Sequence, residues 1–151
     1  MIVYLDVSCL NRPFDDQSQT RIRLESEAVT LVLQECDEGS WTQVSSDIAN
    51  IEIDAIPDDE RRGRVRKLLP KQASVLKLSQ DVHDRAVELQ KLGIKPADAL
   101  HVASAETLDA DVCLSCDDRL CRAAHRHRRE LKVRVANPLD WLKEIAGGRN
   151  T

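Results

Sequence analysis

Apolar and polar residues alternate along the chain in blocks that predict strands and helices in regular succession. Five short apolar runs are typical of strands, and they lie at residues 1–5, 41–45, 74–78, 112–115 and 133–135. Between these runs, apolar residues recur every three or four positions, which is the spacing of one buried helix face. This spacing predicts helices at about residues 18–38, 46–55, 58–69, 79–92, 96–105, 117–128 and 138–146. Strands that alternate with helices indicate an α/β fold with a parallel sheet of four to five strands.

Turn-forming and capping residues mark the ends of these elements. The stretch 7–16 follows the first strand and is rich in turn formers, so we expect a loop there. Ser46 is predicted to cap the helix that follows the second strand. Gly93 is predicted to end a helix in the left-handed conformation. Because no repeat or linker interrupts the chain, we predict a single domain over residues 1–146 and a flexible tail over residues 147–151.

Composition narrows the class of protein. The chain has 151 residues, 42% apolar and 32% charged, which suits one globular domain with one sizeable core. No apolar run approaches the roughly 18 residues of a membrane span, so we expect no membrane association. The first residues, MIVYLD, lack the basic segment and cleavable apolar stretch of a signal peptide. Together with an odd number of cysteines, five, this predicts a cytoplasmic protein with reduced thiols.

Carboxylates follow the predicted strands at the positions where sites form in α/β proteins. Asp6 ends the first strand, and Asp117 follows the fourth. Glu52 belongs to the helix after the second strand, and Asp98 lies in the first turn of another helix. Parallel strands end at one edge of the sheet, and ligands bind outside that edge. This rule brings Asp6, Glu52 and Asp117 together, but it does not by itself place Asp98, whose helix directly follows another helix.

Four carboxylates that met at one edge would repel one another strongly, which favours a bound cation. Two unit charges about 5 Å apart repel each other by roughly 3 kcal/mol at an effective dielectric constant of 20. Either some of the acids take up protons or hard divalent cations neutralise them. Carboxylate oxygens without soft ligands select Mg²⁺ or Mn²⁺, one or two ions of which activate water and neutralise charge on phosphate oxygens. The net charge of −4 argues against a nucleic-acid partner only if the acids hold no metal.

Four short motifs, in a fixed order, resemble those of PIN-domain ribonucleases, most closely the VapC-like toxins of type II toxin–antitoxin pairs. Each is weak alone, and the ordered set is specific. The motifs are VYLDVSCL at 3–10, extended by NRPFDD at 11–16, VSSDIANIE at 44–52, PADALHVASA at 96–105 and LSCDDRL at 114–120. The later segment NPL at 137–139 also fits.

This resemblance implies a three-layer α/β/α fold and RNA cleavage that depends on one or two Mg²⁺ or Mn²⁺ ions. It also implies a homodimer and inhibition by a small antitoxin protein. Carried over motif by motif, it assigns catalysis and metal binding to Asp6, Glu52, Asp98 and Asp117.

Neighbouring residues compete for some of these roles. Asp47 and Asp54 are alternatives to Glu52. However, Asp47 lies near a helix start, where the helix dipole alone accounts for an acid and no catalytic role is needed to explain it. The spacing from Ser115 favours Asp117 as the ligand, and it leaves Asp118 as a cap or as an acid that supports the ligands.

Three further side chains are expected to support the acids. Ser8 and Ser115 are expected to hydrogen-bond the carboxylates rather than act as nucleophiles, because no triad is suggested. His101 lies about one turn after Asp98 and is expected in the core or beside the ligands, in preference to acting as a general base.

A rival zinc site and a basic helix complete the candidates. A rival zinc site would use four residues whose spacing is typical of zinc ligands: Cys113, Cys116, Cys121 and His125. However, Cys113 belongs to an apolar strand and is expected to point into the core. Basic residues after Asp117 are either a solvated face or a cationic rim for RNA phosphates. The candidates for RNA contact are Arg119, Arg122 and Arg126.

These features predict a metal-dependent endoribonuclease, the toxin component of a toxin–antitoxin pair. One alternative is a PIN nuclease that is not a toxin and that acts in RNA processing, or a nuclease that acts on DNA. Another is a PIN-like binding module without activity, which the loss of an acid from the motifs would favour; no acid is missing.

Overall fold

Five parallel strands form one sheet with the order β3-β2-β1-β4-β5 in the computed structural model, which describes residues 1–149. The strands are β1 (Ile2–Leu5), β2 (Thr42–Ser46), β3 (Val75–Leu76), β4 (Val112–Leu114) and β5 (Arg134–Ala136). The predicted parallel α/β sheet is therefore confirmed, with all five strands present. The central strand β1 begins the chain and pairs with both β2 and β4.

Helices cover both faces of this sheet. They are α1 (Val7–Asn11), α2 (Thr20–Asp37), α3 (Asp47–Asp54), α4 (Asp59–Arg66), α5 (Gln80–Gln90), α6 (Pro96–Thr107), α7 (Asp118–Arg126) and α8 (Pro138–Arg149). No helix within residues 1–149 combines the length and the apolar character that a membrane crossing requires.

Two apolar clusters, one on each face of the sheet, give the fold its three layers. Side chains alternate between the faces along a strand, so Val3 and Leu5 pack on one side and Tyr4 on the other. The first cluster also contains residues of α2, α3 and α8, and the second contains residues of α5, α6 and α7. Val3, Tyr4 and Leu5 of the central strand are therefore fully buried, and the strand is an unbroken apolar run.

The register of β1 and β4 aligns the ends of the two strands. Leu5 lies opposite Leu114, and the backbone N–H of Asp6 donates to the carbonyl of Leu114 at 3.1 Å. The chain leaves both strands at the same edge and enters a helix at once. Residues that directly follow β1 and β4 are thereby held beside each other.

Local structure differs from the sequence prediction in three places. The stretch after β1 is not an irregular loop, because Asp6 caps the short helix α1 and a 3₁₀ turn, Arg12–Phe14, continues it. Strand β3 has only two residues, because a 3₁₀ turn, Gln72–Ser74, occupies the start of the predicted run. Ser46 stands at the N-cap position of α3, but its hydroxyl makes no capping bond and contacts Tyr4 instead.

The helix ends agree better with prediction. Gly93 has φ of +89°, in the left-handed region expected after α5. Helix α8 continues through Arg149, three residues beyond the predicted end, so residues 147–149 of the predicted tail are helical. Asn150 and Thr151 lie outside the described residues. The five cysteines all lie in the described part of the chain and are free.

Candidate active site

Asp6 and Asp117 are N-cap residues of two helices that start at the same sheet edge. Asp6 Oδ1 accepts from the backbone N–H of Cys9 at 3.0 Å, and its carboxylate is almost fully buried. Asp117 Oδ1 accepts from the backbone N–H groups of Arg119 and Leu120 at 2.8 and 3.3 Å. Each cap satisfies helix N–H groups and places a negative charge at the positive end of a helix dipole. Both acids are thus fixed by the first turn of the helix that follows them.

Ser8 and Ser115 connect the two caps. Ser8 Oγ donates to Asp6 Oδ1 at 2.5 Å and accepts from the backbone N–H of Cys116 at 2.9 Å. Ser115 Oγ accepts from the backbone N–H of Asp117 at 3.0 Å and lies 3.3 Å from Ser8 Oγ. The serines hold the ends of β1 and β4 together and orient the acids. Ser8 hydrogen-bonds a carboxylate as expected, whereas Ser115 contacts the backbone of Asp117 and the Ser8 hydroxyl rather than a carboxylate.

Asp98 brings a third carboxylate to this edge from the first turn of α6. Its pKa is raised from 3.8 to about 6, first by burial and then by the negative charges of Asp6 and Asp117, with a smaller contribution from Glu52. Within residues 1–149 its carboxylate has no hydrogen-bond partner. A half-buried acid that lies among other acids and lacks a donor is the arrangement expected of a cation ligand or a functional carboxyl group.

Glu52 reaches the same region from α3, where a buried hydrogen-bonded chain holds it. His101 Nε2 hydrogen-bonds to Glu52 Oε1, and His101 Nδ1 lies 2.7 Å from the Tyr4 hydroxyl. That hydroxyl lies 2.8 Å from Ser46 Oγ. His101 is 1% exposed, so it lies in the core beside the acids, as predicted. Of the two rival acids, Asp54 pairs with Arg66 at the surface, while Asp47 Oδ1 accepts from Asn50.

The donor set fits a hard divalent cation. Asp6, Glu52, Asp98 and Asp117 offer only carboxylate oxygens, and Asp98 senses the charge of the other three. In the described part of the chain, no group of three or more His, Cys, Asp or Glu side chains is placed so that it could already hold a metal ion. The four acids therefore interact electrostatically at one sheet edge without forming a preformed metal site. Mg²⁺ and Mn²⁺ sites of this open kind use few protein ligands and leave room for water and phosphate oxygens.

The zinc alternative does not fit the structure. Cys113 lies on β4 and is fully buried in the core, whereas His125 is exposed on α7. Burial raises the pKa of the Cys113 thiol well above its ordinary value, which opposes the thiolate form that zinc binds. Cys116 instead contacts Cys9, with the two sulfurs 3.8 Å apart. The cysteine spacing reflects packing.

Comparison with known families identifies the domain that contains the four acids. A family model of the PIN domain matches residues 3–126, which contain all four carboxylates and every strand except β5. The chain belongs to the PIN-domain family. Among the curated proteins no match was found.

Solved structures share the fold of this PIN domain. A crystal structure of VapBC2 from Rickettsia felis, bound to a DNA fragment from their promoter, gives a TM-score of 0.55 at 13% identity. VapBC-1 from nontypeable Haemophilus influenzae gives the same TM-score at 18% identity. In both cases the match covers 91% of this chain and 98% of the other. At such identities the likeness concerns the fold.

Asp118 differs from its neighbour Asp117 in both exposure and partner. Its carboxylate is about half exposed and forms a two-point ion pair with Arg21, from the first turns of α2. This hydrogen-bonded pair lowers the pKa of Asp118. Of the two roles expected for Asp118, the helix cap is excluded, because Asp117 makes the capping bonds. The role of an acid that supports the ligands stays a prediction. Asp118 joins α7 to α2 beside the acids of the PIN domain.

A buried acid that the sequence analysis missed lies behind this ion pair. Glu25 on α2 is fully buried, and its carboxylate accepts from Arg12 Nε at 3.0 Å and from the Asn137 amide. Arg12 also pairs with Asp15 at 3.0 Å. The spacing did carry a signal, because Glu25 lies three and four residues from Ile22 and Val29 on the apolar face of the predicted helix. Its partners could not be read from that spacing.

The candidate RNA-contacting arginines divide into two groups. Arg122 and Arg126 line a cleft of about 630 Å³ between α7, β5 and α8, and Asp118 lies at the same cleft. Arg119 is not among the residues that line it. Among residues 1–149 these three guanidinium groups form no ion pair within 4.0 Å. The cleft also contains Asp140 and Glu144, so its charge is mixed.

Proposed function

We propose that this PIN domain is a metal-dependent endoribonuclease and the toxin component of a toxin–antitoxin pair. The observation that carries the proposal is the position of Asp98, whose pKa is raised to about 6 by burial and by the acids around it. Holding carboxylates close together opposes folding unless a proton or a bound cation neutralises their charge. Residues with such perturbed pKa values gather at functional sites.

Asp6, Glu52, Asp98 and Asp117 would hold one or two Mg²⁺ or Mn²⁺ ions. When bound, such an ion supplies activation of a water molecule and neutralisation of charge on a phosphate oxygen. The chain itself supplies the position of each ligand. The helix caps fix Asp6 and Asp117, and His101 holds Glu52.

Ser8 and Ser115 contribute by keeping the first and fourth motifs in register. Ser8 bridges the Asp6 carboxylate and the backbone after β4, so a shift of one acid moves the other. Preorganised groups that need no rearrangement during the reaction stabilise a developing charge most effectively. Asp118 would support the site from outside by fixing the start of α7 against α2.

RNA would approach along α7. Arg119, Arg122 and Arg126 are candidates for phosphate contact, because their guanidinium groups form no ion pair within 4.0 Å in the described structure and belong to the helix that Asp117 caps. The chain has one Phe, one Tyr and two Trp, and the Tyr is buried, so base stacking would be secondary. Contacts with the phosphate backbone would position the RNA strand, and other groups would read its base sequence.

The proposal of an antitoxin partner is supported by the VapBC structures that share this fold. A small antitoxin protein would bind near the acids and block the site, and the nuclease would act as a homodimer in the cytoplasm. Co-expression tests the partner: the product of a short neighbouring reading frame should relieve growth arrest caused by this chain. Growth arrest that persists, or no arrest at all, would contradict toxin status and leave a nuclease of RNA processing.

Cleavage of matched oligonucleotides tests the enzymatic proposal. An RNA and a DNA of the same sequence are incubated with the purified protein in EDTA, in Mg²⁺ and in Mn²⁺. We expect cleavage of RNA only, and only with a divalent ion. Cleavage of DNA alone would assign a DNA nuclease, and RNA binding without cleavage in either ion would assign an inactive binding module.

A further inference from the structure

A chain of three hydrogen bonds runs through the core beneath the acids and ends on Glu52. It begins at Ser46 Oγ, 2.8 Å from the Tyr4 hydroxyl, and passes to His101 Nδ1 at 2.7 Å. His101 Nε2 then contacts Glu52 Oε1. The three inner residues are buried, at 0% exposure for Ser46 and Tyr4 and 1% for His101, whereas the Glu52 side chain is 35% exposed. The chain thus joins the core to the edge of the site.

Donor and acceptor chemistry gives one consistent direction for these bonds. An ionised carboxylate only accepts, so His101 Nε2 donates to Glu52. If that is the only proton on the imidazole, Nδ1 accepts from the Tyr4 hydroxyl. Burial raises the pKa of Tyr4 well above its ordinary value, so this hydroxyl keeps its proton. Ser46 therefore donates to Tyr4.

The chain uses two elements that also lead to acids of the site. Tyr4 lies on β1, and Asp6 follows the end of that strand, two residues after Tyr4. His101 and Asp98 are three residues apart on α6 and share one face of the helix. The contact between Tyr4 and His101 therefore joins β1, which precedes Asp6, to α6, which carries Asp98. The same imidazole orients the third acid, Glu52.

We propose that Tyr4 and His101 are positioning residues, which fix the Glu52 carboxylate by binding Oε1 and leave Oε2 to act as a ligand. This inference rests on the proposed metal-dependent function. Without the imidazole, a half-exposed glutamate on a helix samples many rotamers, and each ion that binds must first order it. Partners that orient ligating side chains in this way typically change metal affinity or activity by about 10- to 100-fold when they are lost.

The variant Tyr4→Phe tests the proposal with the smallest change. It removes one hydroxyl and keeps the ring that packs in the core. The matched control is Ser104→Ala, which removes another buried hydroxyl, one that bonds the carbonyl of Leu100 on α6 and takes no part in the chain. The first readout is the dissociation constant of Mn²⁺ measured by calorimetry. The second is the separation of kcat from KM for RNA cleavage in limiting Mn²⁺.

We expect Tyr4→Phe to weaken Mn²⁺ binding about 10-fold and to lower kcat in limiting Mn²⁺ with little change in the KM for RNA. Ser104→Ala should match the wild type in both. A pair at the next position separates positioning from packing: His101→Gln retains an N–H donor for Glu52 and should bind Mn²⁺ more tightly than His101→Leu.

The outcomes separate this inference from the proposed function. If the wild type neither binds Mn²⁺ nor cleaves RNA, the proposed function fails and the inference fails with it. If the wild type is active and Tyr4→Phe binds Mn²⁺ as tightly as Ser104→Ala, only the positioning role is refuted. Equal Mn²⁺ binding by His101→Gln and His101→Leu would refute it as well.

Discussion

The substitution Asp98→Asn should stabilise the metal-free protein at neutral and alkaline pH. The pKa of Asp98 rises from 3.8 to about 6 on folding, chiefly through burial and the charges of Asp6 and Asp117. A difference of about 2 pH units corresponds to about 3 kcal/mol of folding free energy. Because Asp98 is only half-buried, solvent screening reduces this to about 2 kcal/mol. Asparagine keeps the shape of the side chain and removes the charge.

The sign of the effect follows from linkage. A carboxyl group with a raised pKa in the folded state binds protons more tightly there than in the unfolded chain. At pH 4 Asp98 costs little stability, because the folded state is protonated and the unfolded state is close to half protonated. The cost grows between pH 4 and pH 6 and is fully present above about pH 7. The wild type and Asp98→Asn should be nearly equally stable at pH 4 and differ by about 2 kcal/mol at pH 8.

Thermal unfolding followed by circular dichroism, in EDTA and at each pH from 4 to 8, measures this difference. For a chain of this size, about 2 kcal/mol corresponds to a rise in Tm of about 4–8 °C. The control is Asp84→Asn on the exposed face of α5, where the Tm difference should not follow this pH dependence. A variant no more stable than the wild type at pH 8, or equally stabilised at pH 4, would refute the reasoning.

Three further predictions concern stability and binding. Glu25→Gln should lower the free energy of unfolding in urea by about 3 kcal/mol, because it leaves the partly buried Arg12 guanidinium and the buried Asn137 amide without their carboxylate. A loss below about 1 kcal/mol would contradict this. Arg122→Ala and Arg126→Ala should each reduce the slope of log affinity for single-stranded RNA against log salt by about 0.7, and an unchanged slope would exclude phosphate contact. Gly93→Ala should cost about 1 kcal/mol because of its positive φ, whereas Gly63→Ala inside α4 should be neutral or stabilising in the same urea titration.

Periodicity predicted the elements because each one buries a regular face. The apolar run of β1 reflects burial on both sides of a central parallel strand, and all five strands and seven of the helices follow from such patterns. The short helix α1 escaped prediction because its stability comes from the Asp6 cap and from packing, which leave no helical repeat in five residues. Cap bonds form between specific atoms, and spacing alone does not distinguish them. Spacing alone therefore could not show that Asp117, rather than Asp118, caps α7.

The site could be predicted only in part from the sequence. Strand ends and motif order indicated the four acids, since the carboxyl edge of a parallel sheet is fixed by topology. Tyr4 could not be assigned a role, because an aromatic residue in an apolar strand is ordinarily core. The role proposed for its hydroxyl rests on contacts with Ser46 and His101, which are 42 and 97 residues away along the chain. Glu25 differs from Tyr4 in this respect, because an acid on the apolar face of a predicted helix is unusual and can be recognised from the sequence pattern alone.

Single-turnover cleavage of RNA by the wild type and by Asp98→Asn, purified in parallel, tests the central claim most directly. If the four acids hold the ion that supports the reaction, removing one carboxylate should lower the rate of Mg²⁺- or Mn²⁺-dependent cleavage by about 100-fold or more. The Tm measurements at pH 8 show independently that the variant is folded. Equal cleavage by both proteins would contradict the account, because the activity would then come from another site or from a contaminant.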